Sequence, residues 1–230
     1  MRVAISQSNY IPWKGYFDSI AKVDAFVLYD DMQYTKRDWR NRNYIKTEQG
    51  LKWLSIPVQV KGKFHQKINE TYVSDENWNI KHWDRLKQVY KEAPFFDEMS
   101  EWLEPLYLQC NYSNLSEINR YFLSEIMLFL GIKTKLLDSH QFKIEGDKTE
   151  KLISICKQLN ADTYYTGPAA KDYIDENLFR QQNINLNYFD YKGYPEYNQL
   201  YGEFEHGVSI IDMLFNLGEN TSNYMKNVNK

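Results

Sequence analysis

The sequence lacks the features that mark several classes of protein. It has no run of about 18 apolar residues, the length that a membrane-spanning helix needs, and its first residues, MRVAISQSN, lack the apolar segment of a signal peptide. Its two cysteines, Cys110 and Cys156, are far apart in the chain and are interpreted as buried structural thiols. Because no disulfide framework is predicted, a reducing cytoplasm is the expected location.

An excess of charge of one sign is also lacking. The net charge of −3 gives no global attraction to nucleic acid or to an anionic membrane, so a nucleic-acid partner is disfavoured and any basic patch must be local. The chain has no internal repeat and no low-complexity segment. Its 230 residues, of which 43% are hydrophobic, suffice for one sizeable core or for one core with a subdomain.

Aromatic residues, in contrast, are abundant. They make up 16% of the chain and include 19 tyrosines, a composition that suits a tyrosine-lined pocket or an interface. The stretch from Ile5 to Pro57 combines aromatic residues with Asn, Gln, Arg and adjacent aspartates more densely than a core requires. Side chains of such variety usually converge on a polar ligand, because each presents a differently shaped hydrogen-bonding edge.

The order of apolar segments predicts an α/β fold with a Rossmann-like parallel sheet, a hairpin and a helical insertion in the middle. RVAIS, a helix from Pro12 to Val23, and AFVLYD together form a strand–helix–strand unit. Residues 48–50 are predicted to join the strands of a hairpin, and alternation resumes after a largely helical middle. The predicted domains are an α/β core at 1–75 and 132–220, a helical insertion at 76–131, and a flexible tail at 221–230.

Polar residues follow the first two predicted strands, where ligands of open parallel sheets bind. The residues predicted to bind substrate after the first strand are Gln7, Asn9, Tyr10, Trp13 and Gly15, with Tyr10 also a catalytic candidate. They lie beside a helix start that would attract an anion. The alternative is that Asn9 caps the helix and Tyr10 packs on it.

The second predicted strand leads into a polar and basic loop. Asp30 and Gln33 are predicted to hold ligand hydroxyls, and Asp31 to accept a proton, unless this is only a solvated turn. A metal site is not predicted, since too few oxygen ligands are present. The following residues are predicted to bind phosphate, a base or a sugar: Tyr34, Lys36, Arg37, Arg40, Arg42 and Asn43. Arginine matches phosphate with two parallel hydrogen bonds, although the cluster could equally be a solvated face.

Two later segments add candidates. Thr166 and Gly167 follow the predicted strand ADTYYTG and suit the same edge of the sheet. His206 precedes the apolar helix of HGVSIIDMLFNLG and is the best candidate for a general base, with a helix-start histidine as the alternative.

The chain resembles the WbqC-like protein family in four segments: QSNYIPWKGYFDSIAKVDAFVLYDDMQYTKRDWRNRNYIK, LKWLSIPV, YYTGPAAKDYI and EYNQLYGEFEHGVSIIDMLFNLG. This resemblance implies a role in bacterial surface polysaccharide biosynthesis, especially of O-antigen. A weaker likeness links it to nucleotidylyltransferases with a His-x-Gly-His signature. Trp13 and Tyr16 replace both histidines here, which argues against simple ATP chemistry though not against nucleotide binding.

These features predict an enzyme that forms an amide, N-acyl or aminoacyl such as glycyl, on a nucleotide-linked amino sugar. Arg37, Arg40 and Arg42 would hold phosphates, and Asp31 or His206 would accept the amine proton. ATP or an activated acyl donor is left open as a co-substrate, and homo-oligomerisation is also left open. The alternatives are a non-catalytic module that binds nucleotide-sugar or glycan, and an RNA- or tRNA-handling protein.

Overall fold

The computed structural model describes residues 1–228 and is built on a five-stranded parallel sheet. The strands are β1 (Arg2–Ser6), β2 (Ala25–Leu28), β3 (Arg42–Thr47), β4 (Gly50–Ser55), β5 (Lys135–Asp138), β6 (Thr163–Thr166) and β7 (Asn185–Tyr188). The helices are α1 (Lys14–Ala21), α2 (Trp78–Tyr90), α3 (Phe96–Leu108), α4 (Leu115–Phe129), α5 (Lys148–Gln158), α6 (Glu176–Gln181) and α7 (Ile210–Leu217). The predicted α/β, Rossmann-like class with a hairpin and middle helices is confirmed.

The strand order places a topological switch point beside β1. The order in the sheet is β5-β2-β1-β6-β7, and every pair is parallel. From the central β1 the chain builds the sheet first on one side, through β2 and β5, and then on the other, through β6 and β7. Ligands of such sheets bind beyond the carboxyl ends of the strands at this point.

Both faces of the sheet are buried, which explains the continuous apolar sequences of its inner strands. Ala4 and Phe26 belong to a large core that also contains residues of α2, α3, α4 and α7. Val3 and Val27, on the opposite face, pack with residues of α5 and α6. The predicted division of the chain into an α/β core and a helical insertion at 76–131 remains a prediction. The large core contains residues from both of these predicted domains.

The hairpin and the last helix lie where the sequence predicts them. Strands β3 and β4 pair antiparallel, with Thr47 opposite Gly50, and stand apart from the parallel sheet. Helix α7 ends at Leu217, and the next residue, Gly218, has a φ of 55° and a missing Cβ that would lie 2.5 Å from Phe95 Cδ1. Glycine is therefore suited to this position by backbone conformation and by space.

The segment predicted as a flexible tail, 221–230, packs against the fold as far as Val228. Thr221, Met225 and Val228 are buried. The Asp18 carboxylate accepts hydrogen bonds from the backbone N–H groups of Lys226 and Asn227, both at 2.8 Å. Residues 229 and 230 of the predicted tail lie outside the described residues.

Candidate functional site

A cleft of about 580 Å³ lies at the carboxyl edge of the sheet. Residues at or after the ends of four strands form its walls, together with the first turns of α5: Ser6, Gln7, Tyr29, Thr166, Gly167, Phe189, Tyr191, Lys148 and Lys151. This is the switch point between β1 and β6, where the fold favours ligand binding. The volume falls within the range of small-molecule sites.

The lining of the cleft is aromatic and carries positive charge only. Five tyrosines and two phenylalanines contribute to it: Tyr16, Tyr29, Tyr164, Tyr173, Tyr191, Phe26 and Phe189. Lys148 and Lys151 are its charged residues, and no Asp, Glu or His is found among the lining residues of the described chain. Such a cleft suits an anionic ligand that also presents flat or apolar surfaces.

The two lysines are placed by the way in which α5 begins. Asp147 caps the helix and forms a capping box with Glu150. Lys148 and Lys151 are three residues apart and therefore share one face, which turns toward the cleft. Neither lysine forms an ion pair with a carboxylate in residues 1–228, so both charges are free to meet a ligand.

Hydrogen bonds fix the polar part of the wall near β1. The Tyr16 hydroxyl donates to the Gln7 carbonyl oxygen at 2.8 Å, and burial raises the pKa of Tyr16 well above its ordinary range. Ser19 Oγ donates to the Gly15 carbonyl oxygen at 2.8 Å and lies 3.1 Å from the Tyr191 hydroxyl. This wall is therefore ordered before any ligand arrives.

Three of the predicted site residues line the cleft, namely Gln7, Thr166 and Gly167. Trp13 does not line the cleft, but its ring packs against that of Tyr191 in the cleft wall, with the ring centres 5.3 Å apart. It also packs against the ring of Tyr194, at 5.9 Å. The predicted role of these residues in binding stays a prediction, but the structure brings them to one place.

Several other predicted residues are hydrogen-bonded in the interior. Tyr10 is completely buried, and its hydroxyl lies 2.8 Å from His82 Nδ1 and 3.0 Å from the Tyr107 hydroxyl. Asn43 donates to the carbonyl oxygen of Tyr10, and the buried Tyr34 hydroxyl donates to Asn41. This placement favours a packing role for Tyr10 over contact with a substrate.

The two adjacent aspartates face different partners. The Asp30 carboxylate is buried and accepts hydrogen bonds from the Ser8 N–H and the Ser116 hydroxyl, and burial raises its pKa. For Asp31, partial burial acts to raise the pKa, but hydrogen bonds from Ser139 and Asn69 and the nearby Lys67 ammonium together hold it below its usual range. A carboxylate held in this way is a weak base, which disfavours Asp31 as acceptor of an amine proton.

The basic loop forms a surface outside the cleft lining. Lys36 and Arg37 are exposed, and Arg40 donates to the Ser8 carbonyl oxygen at 3.3 Å. The Arg42 guanidinium lies 3.7 Å from the centre of the Trp53 ring.

The remaining predicted residues have the following positions. Gln33 donates to the Phe64 carbonyl oxygen at 2.8 Å, and the buried Asn9 Oδ1 has no hydrogen-bond partner. His206 is exposed beside the Phe204 ring, and partial burial and the Lys14 charge lower its pKa. It does not line the cleft.

The sequence-based prediction missed Lys148, Lys151, Tyr29 and Tyr191. One signal was available for Tyr29, which directly follows β2 as Gln7 follows β1. A second was available for the two lysines, whose i, i+3 spacing in the first turns of a capped helix puts both charges on one face.

Comparison with known proteins assigns the chain to a family. A family model described as the WbqC-like protein family matches residues 7–224, which include every predicted site residue. The chain belongs to the WbqC-like protein family. An uncharacterised protein of Mycobacterium tuberculosis is 52% identical over 225 residues, covering 98% of this chain and 97% of the relative. No solved structure matches the chain. Membership of this family indicates a role in surface polysaccharide biosynthesis.

Within residues 1–228, no group of three or more His, Cys, Asp or Glu side chains is arranged to hold a metal ion. The described helices are all too short or too polar to cross a membrane.

Proposed function

We propose that this WbqC-like protein binds a nucleotide-linked amino sugar in the cleft and forms an amide on the sugar amine. The observation that carries the proposal is the cleft itself, which lies at the switch point of the sheet with Lys148 and Lys151 as its charged lining and tyrosines as its walls. A nucleotide-linked sugar offers what such a lining would bind, namely a diphosphate and flat or apolar ring faces.

Each part of the ligand would have its own partners. Lys148 and Lys151 would bind the diphosphate near the positive end of α5. The side chains of Gln7 and Thr166 would form hydrogen bonds with sugar or carbonyl oxygens. The arginines of the basic loop remain predicted phosphate ligands, although they lie outside the cleft lining. Lys148 and Lys151 are the candidate phosphate ligands inside the cleft.

The reaction requires an activated acyl donor, either an acyl thioester or an acyl adenylate. The sugar nitrogen attacks the donor carbonyl carbon and forms the new C–N bond. The C–S or C–O bond of the donor breaks, and its electron pair leaves with the thiolate or the phosphate. The amine proton passes to the leaving group or to water. Activation of the donor lessens the need for a strong base, which agrees with a lining that holds no carboxylate or histidine among the described residues.

The experiment incubates the protein with dTDP- and UDP-linked amino sugars, combined with acyl-coenzyme A thioesters or with amino acids and ATP. Mass spectrometry should find a sugar nucleotide heavier by one acyl or aminoacyl group. Sugars with a hydroxyl in place of the amine serve as controls and should remain unchanged. If no combination changes the mass of an amino sugar, amide formation is excluded for those substrates.

A second candidate function is a non-catalytic module that binds nucleotide-sugar. Binding alone would need only the two lysines and the aromatic walls of the cleft, and no group that moves a proton. It predicts binding of the same sugar nucleotides, detected by calorimetry, with no turnover under any donor condition.

A further inference from the structure

A second cavity, of about 320 Å³, adjoins the cleft. It is lined by residues of α1, β6 and β7, by the segment that follows β7, and by residues 226 and 227 near the end of the chain. Ser19, Phe189 and Tyr191 belong to the linings of both spaces. A ligand in the cleft could therefore extend past the Tyr191 ring into this second cavity.

Three aromatic rings of the second cavity follow one another in a row. The Tyr165 and Phe189 rings are stacked, with their centres 5.6 Å apart and their planes inclined by 26°. The Tyr191 ring comes next, with its centre 6.1 Å from that of Phe189 and its plane inclined by 31°. Flat heterocycles stack on aromatic side chains, whichever heterocycle it is, because each has a π face. The row therefore suits a flat ring as its ligand.

Asn187 places an amide beside this row of rings. It lies directly opposite Tyr165 in the register of β6 and β7, so both side chains leave the sheet on the same face. Asn187 is half-buried, and its side chain makes no hydrogen bond within residues 1–228. An amide has a carbonyl oxygen that accepts and an NH₂ group that donates. It can therefore pair with a ligand edge on which a donor and an acceptor are neighbours.

The charges of the second cavity differ from those of the cleft. Its described lining contains two acidic and two basic side chains, namely Asp18, Asp190, Lys22 and Lys226. The Asp18 carboxylate already accepts hydrogen bonds from the backbone N–H groups of residues 226 and 227, and Lys226 Nζ donates to the carbonyl oxygens of residues 190 and 192. Because the two signs are present in equal number, the lining does not favour an anion. An uncharged part of the ligand suits this cavity better than a diphosphate does.

We infer that the second cavity binds the nucleobase of the sugar nucleotide, with the Asn187 amide hydrogen-bonded to the edge of the base. This inference rests on the proposed function, since the lysines of the cleft are taken to hold the diphosphate. Uracil and thymine each present a ring N–H beside a carbonyl oxygen, which matches the two halves of an amide. Their flat rings would stack in the row of aromatic side chains.

The order of groups in the ligand agrees with the arrangement of the two spaces. In a sugar nucleotide the ribose joins the base to the diphosphate, and the amino sugar is attached to the far phosphate. With the diphosphate on Lys148 and Lys151, the ribose would lie at the shared wall of Ser19 and Tyr191, and the base would lie beyond it. The amino sugar would then stay in the cleft, on the other side of the diphosphate.

The test measures the binding of UDP, dTDP, a UDP-linked amino sugar and inorganic pyrophosphate by calorimetry, because pyrophosphate lacks the base. In the wild type we expect each nucleotide to bind at least about tenfold more tightly than pyrophosphate. Asn187→Ala should weaken the nucleotides by about fivefold or more and leave pyrophosphate unchanged, whereas Lys148→Gln should weaken all four ligands. Asn185→Ala is the matched control, since Asn185 is an exposed asparagine of the same strand that lies outside the cavity lining.

The other outcomes overturn the inference in distinguishable ways. Unchanged nucleotide affinity in Asn187→Ala, or an equal loss for nucleotides and pyrophosphate, would show that no base is bound there, as would a wild type that binds pyrophosphate as tightly as UDP. A loss confined to the UDP-linked amino sugar, with UDP unaffected, would place the sugar in this cavity. No binding of any ligand to the wild type would overturn the base site and the diphosphate site together. Failure of amide formation alone appears separately, as absent turnover while UDP binding still depends on Asn187.

Discussion

The indole of Trp13 occupies the space in which a side chain on Gly15 would lie. A Cβ at Gly15 would come within 2.2 Å of Trp13 Cζ2. The indole in turn contacts Tyr191, a residue of the cleft wall. Gly15 thus allows the approach of Trp13, rather than of a ligand, to the start of α1.

Gly15→Ala should therefore displace the Trp13 ring and disturb the cleft. We expect a loss of about 1–3 kcal/mol in the free energy of unfolding, because the added methyl overpacks a filled space. Urea denaturation checks this, and near-ultraviolet circular dichroism should report the displaced indole. Gly167→Ala is the control for stability, since a Cβ there meets no atom within 4 Å. An equal effect of both substitutions would contradict the role assigned to Gly15.

Lys148→Gln and Lys151→Gln should each weaken binding of dTDP- or UDP-sugars by about tenfold. Each substitution removes one of the two charged side chains that line the cleft in the described chain, at a cost of about 1.4 kcal/mol. Calorimetry at low salt provides the measurement, and the wild-type affinity should fall as salt rises. Lys157→Gln, in the last turn of the same helix, is the matched control. Unchanged affinity in both cleft variants would place the diphosphate elsewhere, with the basic loop as the next candidate.

The sequence predicted those parts of the fold and site that local patterns determine. Strand β2 was predictable because a buried parallel strand needs an uninterrupted apolar run. Gln7, Thr166 and Gly167 were placed near one another because each follows a strand, and the carboxyl ends of parallel strands share one edge of the sheet.

The parts that could not be predicted depend on contacts between distant segments. Lysines are mostly exposed, so nothing local to Lys14 shows that the distant rings of Tyr194, Tyr197 and Phe204 enclose it. Tyr10 follows the first strand as a ligand residue would, but the backbone at Ile11 is left-handed, with a φ of 35°. Hydrogen bonds from Asn43 and Ser209 to the Ile11 carbonyl oxygen hold this turn, and Tyr10 packs inside.

Lys14→Met should stabilise the protein at neutral pH. Burial lowers the folded-state pKa of Lys14 from 10.5 to about 8, so at pH 7 the folded state bears a cost of about 1–3 kcal/mol, after allowance for solvent screening, that methionine would not. Between pH 8 and 10.5 the folded protein binds fewer protons than the unfolded chain, and wild-type stability gains on the variant as pH rises. Urea denaturation from pH 7 to 10.5 measures the difference. A variant less stable than the wild type at pH 7 would show that the aromatic rings more than offset the burial of the charge.

Asp212→Ala should be strongly destabilising. The buried Asp212 carboxylate accepts hydrogen bonds from the hydroxyls of Tyr90 and Tyr197 at 3.0 and 2.8 Å and from Gln199 at 3.0 Å. Its loss leaves buried donors without an acceptor, at about 1–3 kcal/mol each, so we expect a decrease of at least about 3 kcal/mol. Asp84→Ala, at an exposed position on α2, should change stability by less than about 0.5 kcal/mol.

The pH dependence of Asp212→Asn provides a second check on this carboxylate. Burial raises the pKa of Asp212 above its ordinary value of 3.8. The folded state therefore retains the proton to higher pH than the unfolded chain, and this group lowers stability as pH rises through that window. Asparagine does not titrate, so the variant does not lose stability in this way. Its free energy of unfolding relative to that of the wild type should therefore increase with rising pH. A relative stability that stays constant above pH 3.8 would contradict the raised pKa.

Asp18→Ala should release the end of the chain from α1. The Asp18 carboxylate is almost fully buried and accepts two charge-assisted hydrogen bonds, from the backbone N–H groups of Lys226 and Asn227. Amide exchange at residues 225–228 should rise at least tenfold, because within residues 1–228 the N–H groups of Lys226 and Asn227 make no hydrogen bond to the backbone. Lys226→Ala keeps the backbone donor but removes the ammonium from the carbonyl oxygens of Asp190 and Lys192, so it should loosen residues 190–192 and leave the tail protected. Equal exchange at 225–228 in the two variants would mean that packing of Met225 and Val228, not the carboxylate, holds the tail.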